Sequence, residues 1–562
     1  MPDIDFDAAL AQVGEKGRFQ NRIFYLLAIP ATLPAIFLYF SQVFVSATPE
    51  HWCRVPELDE ALGVEQARAI AVPYTVRSDG SHEYSRCEVF AVNFTQLLLE
   101  GGGVLASDNA WNRTACHNGW HYNRTYYDET LVSQLDLVCD KSWWPATSTT
   151  CFCIGSLAGD VLFGLVGDRL GRRPALLITI AWHVLMSIST AVFTTNYVTY
   201  TVLRTVNAVV FPAIYQVPFV LSLEIMGTKH RTFAGMMLCV FFALALVLLA
   251  LITFVLRDWY SLLLYTSLPC IALFGYFWIV PESPRWLVSK GRVDEAEVIM
   301  QKIAKENGKV IPKNFLRQFE IKEEEKLDDI VRGKKERDYN VTFFDLLRRP
   351  VLRRGFVLIA IVWITNAMVY GGLTFNSGNL GVRDQTAFLI GAAVEVPSYF
   401  FSWWAMDRFG RRLVTWVCML VGGLSCVSCA LVPDGDVWIT VTLAMIGRFG
   451  ISASFAVFYV YVGELLPTVV RSQSMASGSF IANIGWILFP YIVHLSNFWR
   501  VLPLLIFGSL SIAGALATML LPETLGCNLP QTLSDGETLH LIGSKSSSHD
   551  GYVKPGEAAI NN

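Results

Sequence analysis

Long apolar runs constrain this chain more than any other feature. Ile23–Ser46 is apolar and carries no charge, and a membrane-crossing helix needs only about 20 such residues. Further runs fall at about 145–166, 174–195, 198–223, 232–256 and 259–280. After a gap come about 355–380, 385–406, 413–432, 437–463, 472–495 and 500–521, twelve in all. Inside hydrocarbon each backbone polar group must be satisfied within its own segment, so these runs are expected to be helices. Charged residues make up 16% of the chain, against about 25% in soluble domains. The net charge of −3 gives no footing for a nucleic-acid partner. Pro30 and Pro34 predict a kink in the first span. With Asp3, Asp5 and Asp7 ahead of it, that span is expected to act as an uncleaved anchor.

The runs are duplicated. Asp168-Arg169-Leu-Gly171-Arg172-Arg173 returns as Asp407-Arg408-Phe-Gly410-Arg411-Arg412, 239 residues later. Glu224 and Arg231 are echoed by Glu464 and Arg471, 240 residues later. Pro281-Glu282-Ser283 is echoed by Pro522-Glu523-Thr524. Three motifs in one order at nearly one offset indicate a doubled bundle. The basic loops lie on one side, with Lys229 among them; the opposite loops hold Arg257 and Arg383, each beside an aspartate. That asymmetry predicts both termini in the cytoplasm.

The expected division is a first span within 1–46, an outer insert over 47–143, the rest of the first half over 144–281, a cytoplasmic linker over 282–354, the second half over 355–521 and a tail over 522–562. The insert holds Cys53, Cys87, Cys116 and Cys139, and sequons at Asn93, Asn112 and Asn123. That combination predicts a glycosylated, disulfide-held extracellular domain with three pairings open. A fourth sequon, Asn340, falls in the linker and is expected to be bare. Val293–Asn307 predicts an amphipathic helix with Ala296, Ile299, Met300, Ile303 and Ala304 on one face. The runs Lys322–Lys326 and Arg332–Arg337 read as solvated, and the serine-rich tail as disordered.

No enzyme constellation, Walker loop, cofactor motif or metal cluster stands out, and His183 and His494 are lone span histidines. Ionisable groups inside spans are costly, so they point to function. They are Asp160, Arg204, Glu395 and Arg448. Glu395 and Arg448 sit at matching depth, either as a structural ion pair or as a pair facing a cavity. Asp160 reads as a ligand for a cation or proton, or as a carboxylate bonded to a neighbouring helix. Tyr215, Tyr370, Phe458, Tyr459 and Tyr461 are candidates to line a path, where aromatic faces attract ammonium groups; packing is the alternative.

The duplicated Asp-Arg-x-Gly-Arg-Arg loops resemble the cytoplasmic signature of the major facilitator superfamily. Pro281-Glu-Ser-Pro-Arg-Trp-Leu287 resembles its sugar and organic-ion branches. Gln12-Val-Gly-Glu-Lys-Gly17, Ala47-Thr-Pro-Glu-His-Trp-Cys53, Glu395-Val-Pro397 and Glu464-Leu-Leu-Pro-Thr-Val-Val-Arg471 resemble the organic cation, anion and carnitine transporters, solute carrier family 22. The resemblance implies an all-α membrane protein of twelve helices in two six-helix halves, working by alternating access. It implies transport roles for Glu395 and Arg448 and cavity aromatics at Tyr215 and Tyr370. The Asp160 position is usually small in that family, so the acid is a departure. The Asn483 position is commonly aspartate in cation carriers and arginine in anion or carnitine carriers, and asparagine favours neither. The loops of Asp168, Arg169, Arg172, Arg173, Glu224, Arg231, Asp407, Arg408, Arg411, Arg412, Glu464 and Arg471 are expected to latch the closed cytoplasmic side. The expected partners are a small organic cation or zwitterion, a coupling ion and membrane lipid. An anion or carnitine carrier, and a non-transporting receptor on the same fold, are the alternatives.

Overall fold

The computed structural model describes residues 6–14, 16–76, 82–100, 111–227, 230–319, 343–433, 436–527 and 529–546. Asn340 and the charged runs of the linker fall outside them. Spans 1 to 6 are Arg18–Val45, Cys139–Leu170, Arg172–Phe193, Tyr197–Ile225, Phe233–Val255 and Trp259–Ile279. Spans 7 and 9 to 12 are Pro350–Asn379, Arg411–Leu431, Val437–Leu465, Gln473–Asn497 and Leu502–Met519. Span 8, Asp384–Phe409, is 26 residues long and has Pro397 inside it. It is less apolar than the rest because it carries Asp384, Glu395, Asp407 and Arg408. The two six-helix halves meet where span 5 packs on span 8 and span 2 on span 11.

A missing backbone donor coincides with one break of span 1, at Pro30, whereas Pro34 lies inside its second segment and Pro397 inside an unbroken span 8. Span 1 is helical over Arg18–Ala28, Thr32–Phe40 and Gln42–Val45, with Pro30 in the first gap. At the second break Arg204 of span 4, itself buried, donates to the Leu38 carbonyl and, at 3.3 Å, to Ser41 Oγ. A buried cation thus occupies the carbonyl end of Thr32–Phe40, where the helix dipole is negative.

At one end of the bundle sits the insert, and at the other the duplicated loops. The insert pairs its short strands antiparallel, His51–Cys53 with Trp120–Tyr122 and Glu88–Phe90 with Arg113–Ala115. Its small core gathers Val55, Leu58, Ile70, Phe90 and Phe94. Cysteine spacing leaves three pairings open; the fold joins Cys53 to Cys116 and Cys87 to Cys139. Asn93 and Asn112 are exposed, and Asn123 is half-buried. At the loop end the linker helix Val293–Glu306 buries Ala296, Met300, Ile303 and Ala304. Asn307 beyond it donates to the Val13 carbonyl and to Gln20 Oε1, tying the N-terminal helix Phe6–Val13 to the linker.

The tail differs from its expected disorder. Leu533–Ser546 is helical, with Leu533 buried and Glu537 paired to Arg349 at 2.9 Å. Leu533 and Leu539 seat against the second half, a spacing of apolar residues that the serine content obscures.

Candidate functional site

Asp160 stands in the half of span 2 that leads to the duplicated loop. Gln216 Nε2 of span 4 donates to its Oδ1 at 3.3 Å, and the Asn483 amide of span 11 lies close by. Asn483 also donates to the Ser479 carbonyl at 3.1 Å. Asp160 is therefore held by a neutral amide of its own half and stands near a second amide from the other. Among the described residues no ion pair joins it to a basic side chain. A cleft of about 140 Å³ runs from Asp160 and Gly159 past Phe163 and Gln216 to Asp168 and Arg172 at the loop end. Tyr459, 47% exposed, stands near the Asp160 charge. Tyr215 stacks on Phe219 at 6.3 Å.

The second acid is arranged in the opposite way. Glu395 is 0% exposed and Arg448 1%. Arg448 Nε donates to Glu395 Oε1 at 2.9 Å, and its terminal NH2 lies 2.8 Å from the same oxygen. Tyr370 and Tyr399 donate to Oε2 at 3.2 and 3.3 Å. Both carboxylate oxygens are thus satisfied inside the second half, as a buried charge requires. Gly391 makes room, since a Cβ there would stand 2.6 Å from an Arg448 nitrogen.

The duplicated loops are near copies in space. Arg172 pairs with Asp168 at 2.9 Å and Glu224 at 3.0 Å; Arg411 pairs with Asp407 at 3.7 Å and Glu464 at 3.1 Å. Glu282 accepts the backbone N–H of Arg172 at 2.9 Å and of Arg173 at 3.3 Å. Glu523 accepts those of Arg411 at 2.9 Å and Arg412 at 3.1 Å. Each glutamate puts an anion on a helix N-terminus, filling orphan donors and opposing the dipole. The glycine of each motif follows from this: Gly171 has φ +106° and Gly410 +92°, and a Cβ there would meet the capping glutamate at 2.3 and 2.5 Å. Arg173 and Arg412 donate to the Phe277 and Met519 carbonyls. Arg169 and Arg408 are exposed, Arg231 opens its helix, and Arg471 donates to the Leu466 carbonyl at 3.2 Å. Each cluster of acids and arginines is closed within its own half.

At the insert end aromatic rings plug the space between halves. Tyr39 lies 5.5 Å from Phe375 and 5.6 Å from Trp486, and Phe44 5.0 Å from Phe388. Thr150 donates to the Ile487 carbonyl at 3.0 Å.

Two candidate path residues do not line a path. Phe458 and Tyr461 are buried, with Phe458 against Trp363 and Tyr461 donating to the Pro522 carbonyl. Positions 458 and 461 share one helix face, and 459 lies about 100° away on another. Tyr370 is buried on Glu395. Sequence reasoning missed Gln216, an uncharged polar group inside an apolar run. It also missed the capping role of Glu282 and Glu523, although their common spacing was a signal.

A model of the family described as "Sugar (and other) transporter" matches residues 101–532. The chain is 37% identical to organic cation transporter 1 of Caenorhabditis elegans, over 95% of this chain and 88% of that protein. It is 36% identical to the carcinine transporter of Drosophila melanogaster, over 95% and 79%. It is 34% identical to the human organic cation/carnitine transporter 2, over 98% of each. Among solved structures, the proton:xylose symporter XylE aligns with a TM-score of 0.55 at 16% identity, covering 93% of this chain and 100% of that one. That likeness is one of fold.

Proposed function

This chain belongs to the organic cation, anion and carnitine transporters, solute carrier family 22 of the major facilitator superfamily, and from that premise we propose that it carries a small organic cation or ammonium-bearing zwitterion across the plasma membrane. The observation that carries the reading is Asp160, a span carboxylate held only by amides at the head of an open cleft. A charge in low dielectric seeks an opposite partner, and an ammonium supplies one. Tyr459 adds an aromatic face, worth about 0.5–2 kcal/mol to a cation. Relatives named for organic cations, carcinine and carnitine support the same class. Asp160, Gln216, Asn483, Tyr459 and Tyr215 form the binding wall; Glu395, Arg448 and Tyr370 hold the second half rigid beside it.

The chain moves solute by alternating access and does not transform it. The insert is extracellular and glycosylated at Asn93, Asn112 and Asn123, both termini are cytoplasmic, and lipid covers the outward apolar faces. The cleft then opens to the cytoplasm while the aromatic plug shuts the outside. Closure brings the Asp168/Arg172 and Asp407/Arg411 loops together as a latch, and substrate or a coupling ion shifts the balance by binding the two states unequally. Uptake of a charged and neutral substrate panel at clamped voltage tests the class: cations enter with inward current, and exclusive uptake of anions would refute it. Glycosidase should shift the wild type on a gel, and Asn93/Asn112/Asn123→Gln should abolish the shift. Glycan at Asn340 would reverse the orientation.

A further inference from the structure

The extracellular domain is anchored on one half and reaches the other. Its stretch 124–134 is fastened to the loop between spans 5 and 6. Arg257 donates to the carbonyls of Arg124, Thr125 and Tyr126. The Asp128 N–H meets the Arg257 carbonyl at 3.0 Å, the Trp259 N–H meets the Glu129 carbonyl at 3.1 Å, and Trp259 Nε1 donates to Gln134 at 2.9 Å. From this anchored stretch two tyrosines cross to the start of span 8. Tyr127, 8% exposed, donates to Asp384 Oδ2 at 3.0 Å. The Arg383 guanidinium lies 5.1 Å from the Tyr126 ring and 4.6 Å from Phe254 of span 5.

We propose that Tyr126–Tyr127 is an extracellular clasp that holds the two halves together over the aromatic plug and must release for the outward face to open. This rests on the sidedness proposed above. The argument is one of differential contacts: a bond made in one state and lost in the other shifts the balance between them. The outer ends of spans 5 and 8 must part for the outside to open, and the Tyr127–Asp384 bond joins a stretch carried by the first half to the first residue of span 8. A hydrogen bond to a charged group in a buried setting is among the stronger kind. The clasp therefore makes the extracellular domain part of the transport cycle rather than an appendage to it.

The test uses the full chain in intact cells and reads no transport. Cys153 is buried in the plug, its sulfur 3.9 Å from the Tyr39 hydroxyl. In a Cys151→Ser background, an impermeant maleimide applied outside reports on plug opening through the Cys153 labelling rate. Tyr127→Phe keeps the ring and removes only the hydroxyl, so the surface level should hold. We expect Tyr127→Phe and Asp384→Asn each to raise the rate about tenfold, and the double variant to do no more than either. Arg257→Gln, which removes the side-chain bonds to the Arg124, Thr125 and Tyr126 carbonyls and so loosens the stretch on the first half, should raise it as well. Wild-type rates in Tyr127→Phe and Arg257→Gln would overturn the clasp, as would additive effects in the double variant. The exposed Cys527 separates this from the sidedness: its labelling from outside would overturn the orientation, and the clasp with it.

Discussion

In the first half, the span carboxylate Asp160 opens on a cleft and accepts from one neutral amide, with a second nearby. In the second, Glu395 is sealed from solvent and spends both oxygens on Arg448, Tyr370 and Tyr399. The loops below these acids are nearly superposable in their chemistry, so the contrast does not come from the scaffold. It comes from what each half does with a costly charge. The second half neutralises its acid internally, which leaves no Glu395 oxygen free for a ligand. The first half leaves its acid short of a cation, and that deficit is what we propose an ammonium group fills.

The largest expected effect lies in the second half. Arg448→Leu leaves Glu395 buried without its counter-charge, which costs about 3–5 kcal/mol. Purified protein should show a sharply lower thermal midpoint, and Glu395→Gln/Arg448→Gln should recover most of the loss. A single variant that unfolds like the wild type but no longer transports would move Glu395 from scaffold to binding site and erase the contrast.

Asp160→Asn should do the reverse. Uptake of organic cations should fall about tenfold or more, equivalent to about 1.4 kcal/mol of lost charge pairing, at unchanged thermal midpoint and surface level. Asn483→Arg should fall as far, since it sets a guanidinium beside Asp160 and supplies internally the partner that substrate brings. Cation uptake intact in both variants would sink the reading.

The duplicated scaffold was legible because its motifs are local and repeated. The Asp-Arg-x-Gly-Arg-Arg spacing carried the doubling, and apolar run length carried the spans even where Glu395 and Asp384 dilute span 8. Asp160 stood out because a charge in an apolar run is conspicuous; Gln216 did not, because an amide is not. Depth matched Glu395 to Arg448, but burial is a tertiary property, so sequence left their role open. Phe458, Tyr459 and Tyr461 looked equivalent until helix phase separated them. The tail helix was hidden by serines, and the disulfide pairing by the equivalence of four cysteines.

The helix caps sharpen the comparison from the scaffold side. Glu282→Gln and Glu523→Gln each weaken a charged cap on two backbone N–H groups, a loss of about 1 kcal/mol apiece. If the halves share one scaffold, the two thermal midpoints should drop alike. A loss confined to one of them would show that the copies carry unequal load.

The smallest effect belongs to the insert domain, whose Arg257-bound stretch is fastened to the first half. Burial pushes the His51 imidazole below its ordinary 6.5, and the nearby Arg86 charge adds to this against the Pro49 carbonyl and Glu50. The folded domain thus resists a proton that the unfolded chain accepts. Its contribution to stability is complete above pH 6.5 and is lost as pH falls through the depressed folded value. Burial alone would raise the Glu50 carboxyl, but hydrogen bonds from Arg68 and Asn123 outweigh it and set it below its ordinary 4.5. Its loss therefore begins only in more acid solution, so the two groups act in separate windows. Unfolding of the full chain followed from pH 7.5 toward 5 should show a modest decline in midpoint that His51→Gln flattens. An equal decline in His51→Gln would assign the acid sensitivity to another group, and would place it back among the spans that the two halves treat so differently.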